Sequence, residues 1–147
     1  MTFTTNSEEE TRALAAGLAS TLVAGDIILL HGDLGAGKSV FARGLARGLG
    51  IQGPMPSPTF TLMIPYEAKG CKLYHFDLYR LSDPEEYYAA GLDEFIGGDG
   101  IAVVEWPENA ELDPGGALHI TLRRGREEDQ RVIEIEESDG ARFPGNT

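Results

Sequence analysis

Gly32-Asp33-Leu34-Gly35-Ala36-Gly37-Lys38-Ser39 decides how the rest of the chain is read. It is a complete G-x-x-x-x-G-K-[ST] stretch. Its glycines permit a tight turn that aims successive backbone N–H groups inward as an anion cradle. A helix opening at the loop adds unpaired N–H groups and the positive end of its dipole. Lys38 reaches outer phosphates as a point charge, and the Ser39 hydroxyl suits Mg²⁺. The flanks agree. Asp26-Ile27-Ile28-Leu29-Leu30-His31 is an apolar run of buried-strand length, and Phe41, Leu45 and Leu49 repeat at helical spacing behind the loop. Strand, loop, helix is the context that separates a phosphate-binding loop from a chance glycine-rich turn.

The chain has 147 residues, which suits one domain, and 41% hydrophobic content supports a packed core. The expected domain spans residues 1–137. Residues 138–147, polar with glycine and proline, read as a flexible C-terminal tail. No apolar stretch is long enough to span a bilayer, and the acidic, polar N-terminus does not resemble a signal peptide. Cys71 is the only cysteine, so no internal disulfide can form, and a cytoplasmic location is the default expectation.

Twelve basic residues face 24 acidic ones, a formal charge of −12. Such a chain is not expected to bind nucleic acid unaided. It must also hold a nucleotide against its own field, so local N–H groups, Lys38 and a metal are needed.

Along the chain, Thr2-Phe3-Thr4 reads as an edge strand. Ser7 to Glu10 reads as a capping box opening a helix with Leu14, Leu18 and Leu22 four apart and Ala15 and Ala19 alongside, ended by Gly25-Asp26. Gly53 to Thr59, with three prolines, must be extended. It is either a plain connector or a switch loop that brings the Thr59 hydroxyl to the metal or terminal phosphate. Phe60–Tyr66 and Cys71–Tyr79 read as a hairpin turned at Ala68-Lys69-Gly70, with Leu73, His75, Asp77 and Tyr79 on one face. Asp83-Pro84-Glu85-Glu86 starts a short helix.

Ile101-Ala102-Val103-Val104-Glu105 is the second informative stretch: an apolar strand ending in a carboxylate, where phosphate-loop proteins place the acid that holds Mg²⁺ directly or through water. Trp106 follows, and a lone tryptophan is more often packing than ligand contact. Ala117–Leu122 and Arg131–Glu136 read as a terminal antiparallel pair. Arg123-Arg124-Gly125-Arg126 opens the turn between them, as a solvated turn, an adenine or phosphate contact, or a docking patch. Arg43 and Arg47, one helical turn apart, belong to a solvated face or a docking surface.

The phosphate loop, Ser57-Pro58-Thr59-Phe60-Thr61-Leu62, Tyr74-His75-Phe76-Asp77-Leu78-Tyr79-Arg80-Leu81, Asp83-Pro84-Glu85-Glu86 and Val104-Glu105-Trp106-Pro107-Glu108 together resemble, in sequence and order, the TsaE (YjeE) family of bacterial ATPases required for threonylcarbamoyladenosine modification of tRNA. The resemblance runs from about Ser7 to Ile135. It implies a three-layer α/β domain of the P-loop NTPase class, with a mixed, mostly parallel sheet and antiparallel hairpin strands. It implies ATP and Mg²⁺ as cofactors, slow hydrolysis, and a complex with the transferase subunits TsaD and TsaB, with tRNA reached only through that complex and no membrane involved. Carried over by position, Leu34, Gly35, Ala36, Gly37, Lys38 and Ser39 would hold the phosphates. Ser39 and Glu105 would hold the metal. Lys38, Thr59, Asp77 and Glu105 would form the catalytic set, and Glu8, Thr11 and Gly125 would lie near the adenine.

The mechanism this implies is phosphoryl transfer to water without a covalent intermediate. No arginine finger is evident, with Arg80 as one candidate. A small-molecule kinase would need an arginine-rich lid for which the chain has little room. A nucleotide-state switch that barely hydrolyses is the other alternative.

Overall fold

The computed structural model describes residues 1–68 and 70–138. The chain runs β1 (Thr2–Thr5), α1 (Glu8–Ala19), β2 (Ile27–His31), α2 (Lys38–Gly48), β3 (Met63–Glu67), β4 (Lys72–Asp77), α3 (Pro84–Ala89), β5 (Gly100–Glu105), β6 (Leu118–Arg124) and β7 (Arg131–Glu137). Short 3-10 turns occupy Leu92–Phe95 and Pro107–Ala110.

The strands form one seven-stranded sheet in the order β1-β7-β6-β2-β5-β4-β3. It is mixed, as expected. The parallel pairings are the three central ones, β6–β2, β2–β5 and β5–β4. The remaining three are antiparallel and lie toward the edges, β1–β7, β7–β6 and β4–β3, so the parallel share is half rather than most. β2 and β5 are central and covered on both faces, which is why each is a continuous apolar run rather than an alternating one. Ile28 and Leu30 face one core with α1 and α2, and Ile27 and Leu29 face a second core with α3 and the 3-10 turns. These are the three layers.

Several boundaries differ from the sequence expectation. α1 stops at Ala19 rather than reaching Gly25, because the Ser20 and Thr21 hydroxyls donate back to the Gly17 and Leu18 carbonyls at 2.8 Å. Its N-terminus behaves as read. Ser7 Oγ accepts from the Glu10 N–H, while Glu10 reaches back to the N–H of Asn6. β3 begins at Met63, not Phe60. The Leu62 N–H bonds Pro58 O at 2.6 Å and Leu62 takes φ 68°, so residues 58–62 form a turn and Phe60 stays exposed. Arg123 and Arg124 extend β6 instead of opening the turn. The tail expected over 138–147 lies outside the described residues except for Ser138, which is tied to Ala117 through both its N–H and its hydroxyl.

α1 and α2 meet through small residues. Ala15 and Ala19 of α1 are buried, whereas Leu14 and Leu18 are only partly so. A methyl group on Gly44 would lie 2.6 Å from Arg12 O and 2.7 Å from Ala15 Cβ. On Gly48 it would lie 2.5 Å from Ala16 O. The helices approach closely enough that only glycine fits.

Across the β2–β6 seam, the His31 and His119 rings stack with centroids 5.2 Å apart, and His31 Nε2 lies 2.9 Å from His119 Nδ1. Burial, then the His119 charge, lowers the His31 pKa from 6.5; Glu108 opposes this and Lys38 adds to it.

Gly44→Ala is expected to destabilise the fold by about 1–3 kcal/mol through overpacking. Gly17→Ala, with nothing among the described residues within 4 Å of the added methyl, should gain up to ~1 kcal/mol from helix propensity. Urea unfolding with an unchanged m-value measures both. Because His31 titrates lower when folded, the unfolded chain binds more protons below pH 6.5. Stability should therefore fall as pH drops from 6.5 toward the folded value, and His31→Phe should flatten that slope.

Candidate functional site

β2 delivers the phosphate loop to the carboxyl edge of the sheet, flanked by its parallel neighbours β5 and β6. Within the loop the Ala36 N–H closes a turn on Asp33 O at 3.0 Å. The N–H groups of Gly35, Gly37, Lys38 and Ser39 have no acceptor among the described residues. They are the orphan donors of a helix start, aimed where an anion fits. Gly37 takes φ 106°, a left-handed conformation that a β-carbon would strain.

Glu105 ends β5 beside this loop and is 3% exposed. Its Oε1 accepts from Ser39 Oγ at 3.0 Å, and its Oε2 lies 2.7 Å from His75 Nε2, itself buried on β4. His75 Nδ1 is buried without a hydrogen-bond partner among the described residues. The Ser39–Glu105 pair bears on whether magnesium fits. Two hard oxygens 3.0 Å apart match the cis edge, roughly 3.0 Å, of an octahedron with Mg–O near 2.1 Å. No cluster of three or more His, Cys, Asp or Glu able to hold a metal exists among the described residues.

Lys38 is parked rather than extended. Its Nζ donates to Gly32 O and lies 3.2 Å from the centroid of the Trp106 ring. Burial holds its pKa below the ordinary 10.5, while Glu105, Glu108, Asp77 and Asp33 pull it back up. Trp106 is in the left-handed region, φ 60°, which turns its ring back over the lysine, and Tyr79 packs against it at 5.0 Å. The sequence reading of Trp106 as packing missed this position in the cleft wall.

Asp77 ends β4 in register with Glu105. Its Oδ2 accepts from Thr59 at 3.2 Å and Ser57 at 3.3 Å, and its Oδ1 accepts the Tyr79 N–H at 3.0 Å. Ser57 and Thr59 hydroxyls are 2.6 Å apart. The proline-rich loop is therefore tied to the acid at its far end.

A cleft of about 420 Å³ gathers these groups. Leu34, Gly35, Gly37, Lys38 and Ser39 line it from the loop. Thr59, Asp77 and Glu105 line it on the β5–β4 side of the loop, and Glu8 and Thr11, the latter bonded to Thr5 of β1, on the β7–β1 side. Ala36 and Gly125 do not line it. Ala36 is buried and turns its carbonyl to Arg131, while the Gly125 N–H is taken by Gln130 O in the β6–β7 turn. Arg80 lies over the Phe60 ring at 4.6 Å, outside the cleft lining. Ser57, Trp106 and Arg131 line the cleft without having been singled out for it from sequence. Arg43 is exposed, and Arg47 donates to the Ile51 and Gly53 carbonyls behind α2.

The family model for threonylcarbamoyl adenosine biosynthesis protein TsaE matches residues 5–133. The tRNA threonylcarbamoyladenosine biosynthesis protein TsaE of Bacillus subtilis is 40% identical over 129 residues, covering 87% of this chain and 80% of that protein. The protein of the same name from Nostoc is 42% identical over 132 residues, with 87% and 80% covered. The crystal structure of Bacillus subtilis YdiB superposes with a TM-score of 0.77 at 37% identity, covering 92% of this chain and 83% of that one.

His75→Ala leaves the buried Glu105 carboxylate without its charge-assisted partner. It should cost about 2–3 kcal/mol of stability. In a double-mutant cycle with Glu105→Gln, the coupling between the two positions should exceed ~1 kcal/mol, read by urea unfolding of the ligand-free chain.

Proposed function

This chain belongs to the TsaE family, whose role is in tRNA threonylcarbamoyladenosine biosynthesis, and on that premise we propose that it is the Mg²⁺-dependent ATPase subunit of that modification, working in complex with transferase subunits of the TsaD and TsaB type. The observation that carries the reading is the pairing of a loop of unpaired backbone N–H groups with a Ser39–Glu105 oxygen pair in the same cleft.

In this reading the N–H groups of Gly35, Gly37, Lys38 and Ser39 bind the phosphates. Lys38 leaves Trp106 and Gly32 O to meet the outer phosphates, exchanging one set of contacts for a stronger ionic one. Ser39 and Glu105 hold magnesium, which when bound neutralises charge on the phosphate oxygens. His75 fixes the Glu105 carboxylate so that Oε1 stays toward Ser39. Asp77, gripped by Thr59, Ser57 and the Tyr79 N–H, is held at the terminal-phosphate end, where it orients the attacking water or the metal shell. Glu8 and Thr11 lie on the β7–β1 side of the cleft, toward the adenosine.

The β5–β4 side of the cleft carries Lys38 and no arginine among its described lining residues. That supports weak hydrolysis by the chain alone and completion of the site by a partner. The −12 charge supports contact with tRNA through the complex rather than directly. No described helix is long and apolar enough to cross a membrane. A cytoplasmic location is part of the same proposal.

Lys38→Ala should weaken ATP binding by at least about tenfold, measured by calorimetry. Glu105→Ala should lose most of the Mg²⁺-dependence of that binding, so that titrations with and without the ion converge. ATP turnover should rise several-fold when the transferase pair is added. Equal, fast turnover with and without the pair contradicts completion by a partner.

A further inference from the structure

The cleft is lined by two cations among the described residues, and only Lys38 has a role so far. The other is Arg131, the first residue of β7. The turn before it folds back so that the guanidinium reaches the outside of the phosphate loop. Nε donates to Ala36 O at 3.0 Å, and Nη1 donates to the Glu128 and Gln130 carbonyls at 2.9 Å each. All three acceptors are backbone carbonyls. Among the described residues no carboxylate lies within ion-pairing distance of Arg131, whereas Arg12 and Arg123 each have one. Nη2 has no acceptor among them.

Arginine cannot shed its charge in a protein and carries five donors in a rigid fork. A guanidinium pinned by three carbonyls has already lost most of its rotamer freedom, so a further bond from Nη2 costs little ordering. Here a positive charge with no ion-pair partner among the described residues sits beside the loop in a chain of net charge −12. The same cleft is lined by Glu8, Thr11 and Asp129; Arg131 pairs with Thr5, whose hydroxyl bonds that of Thr11, and β7 lies on the other side of β6 and β2 from Glu105 at the end of β5. The Gln130 side chain, 3.2 Å from Asn6 Oδ1, ties the same turn to the start of α1.

We propose that Arg131 is a nucleotide-binding residue that contacts a phosphate common to ATP and ADP, on the adenosine side of the loop, while bracing that loop through Ala36. The proposal rests on the adenine-nucleotide reading above and adds a residue to it. Its role differs from that of Lys38, which serves the outer phosphates. Arg131 therefore contributes equally to the binding of ADP and ATP and does not discriminate between them.

The test is calorimetric titration of the full chain with ADP and with ATP, for the wild type, Arg131→Gln and Arg131→Lys. Arg131→Gln should weaken both nucleotides by the same factor, about tenfold to a hundredfold for a lost charge-assisted contact. Arg131→Lys should recover part of it, restoring charge without the fork. Lys38→Ala, in contrast, should hurt ATP more than ADP. A loop-bracing role alone would lower thermal stability and would not produce rescue by lysine. On the unmutated chain, mass spectrometry after phenylglyoxal treatment should show ADP slowing modification of Arg131 while Arg43 reacts at an unchanged rate. This second arm holds even if Arg131→Gln fails to fold. Wild-type affinity in a folded Arg131→Gln, or no protection of Arg131 at saturating ADP, overturns the assignment while leaving the ATP reading standing. A wild-type chain that binds neither nucleotide overturns both.

Discussion

A carboxylate at the end of a buried parallel strand sets the constraint around which this molecule is built. Glu105 is almost fully buried, and ionised carboxylates are costly to bury without partners. Two residues from neighbouring elements answer that cost. Ser39 comes from the first turn of α2, and His75 comes from the strand on the far side. Each partner is in reach only because β2, β5 and β4 lie side by side and in parallel, with their carboxyl ends at one edge. Sheet order thus becomes site geometry: the strand that feeds the phosphate loop and the strand that ends in the acid must be adjacent.

In the proposed reading, the same edge lets a strongly acidic chain present an anion site. The attraction is local, from backbone N–H groups that the helix start leaves unpaired and from two side-chain cations. Lys38 rests against Trp106 and a backbone carbonyl while the acids sit in pairs or networks with hydroxyls. Burial disfavours its charge while nearby carboxylates favour it, so in the proposed reading a polyanion in the cleft adds a further partner for the ammonium. The left-handed backbone of Trp106, directly after Glu105, places the aromatic wall and the acid within one dipeptide.

The phosphate loop, its strand and its helix were legible because they are local: glycine spacing, an apolar run and helical periodicity act within a few residues. The acid at the end of β5 was legible for the same reason. What local pattern cannot reveal is which side chains from distant strands arrive together. His75 was seen as part of a polar patch, but its bond to Glu105 depends on strand order. Arg131 was read only as the start of a strand, because its contact with Ala36 spans 95 positions. The α1 face was legible in part. Leu22 and the alanines beside the leucine stripe, Ala15 and Ala19, are buried as read, whereas Leu14 and Leu18 are only partly so, because the close approach demanded by Gly44 and Gly48 favours the small residues. The strand expected from Phe60 began later because a turn closed by Pro58 and Leu62 overrode its β-propensity.

Membership of the TsaE family and the fold stand on the comparisons and the sheet. The chemistry assigned to Ser39, Glu105 and the loop rests on their geometry. The most direct measurement is a crystal structure of the chain with a non-hydrolysable ATP analogue and Mn²⁺ in place of Mg²⁺, using the anomalous signal of manganese. The account predicts one manganese peak between Ser39 Oγ and the phosphates, with Glu105 bonded to it or to its water, and the β-phosphate enclosed by the N–H groups of Gly35 to Ser39. Nucleotide bound elsewhere with the loop empty, or manganese held away from both Ser39 and Glu105, would contradict it.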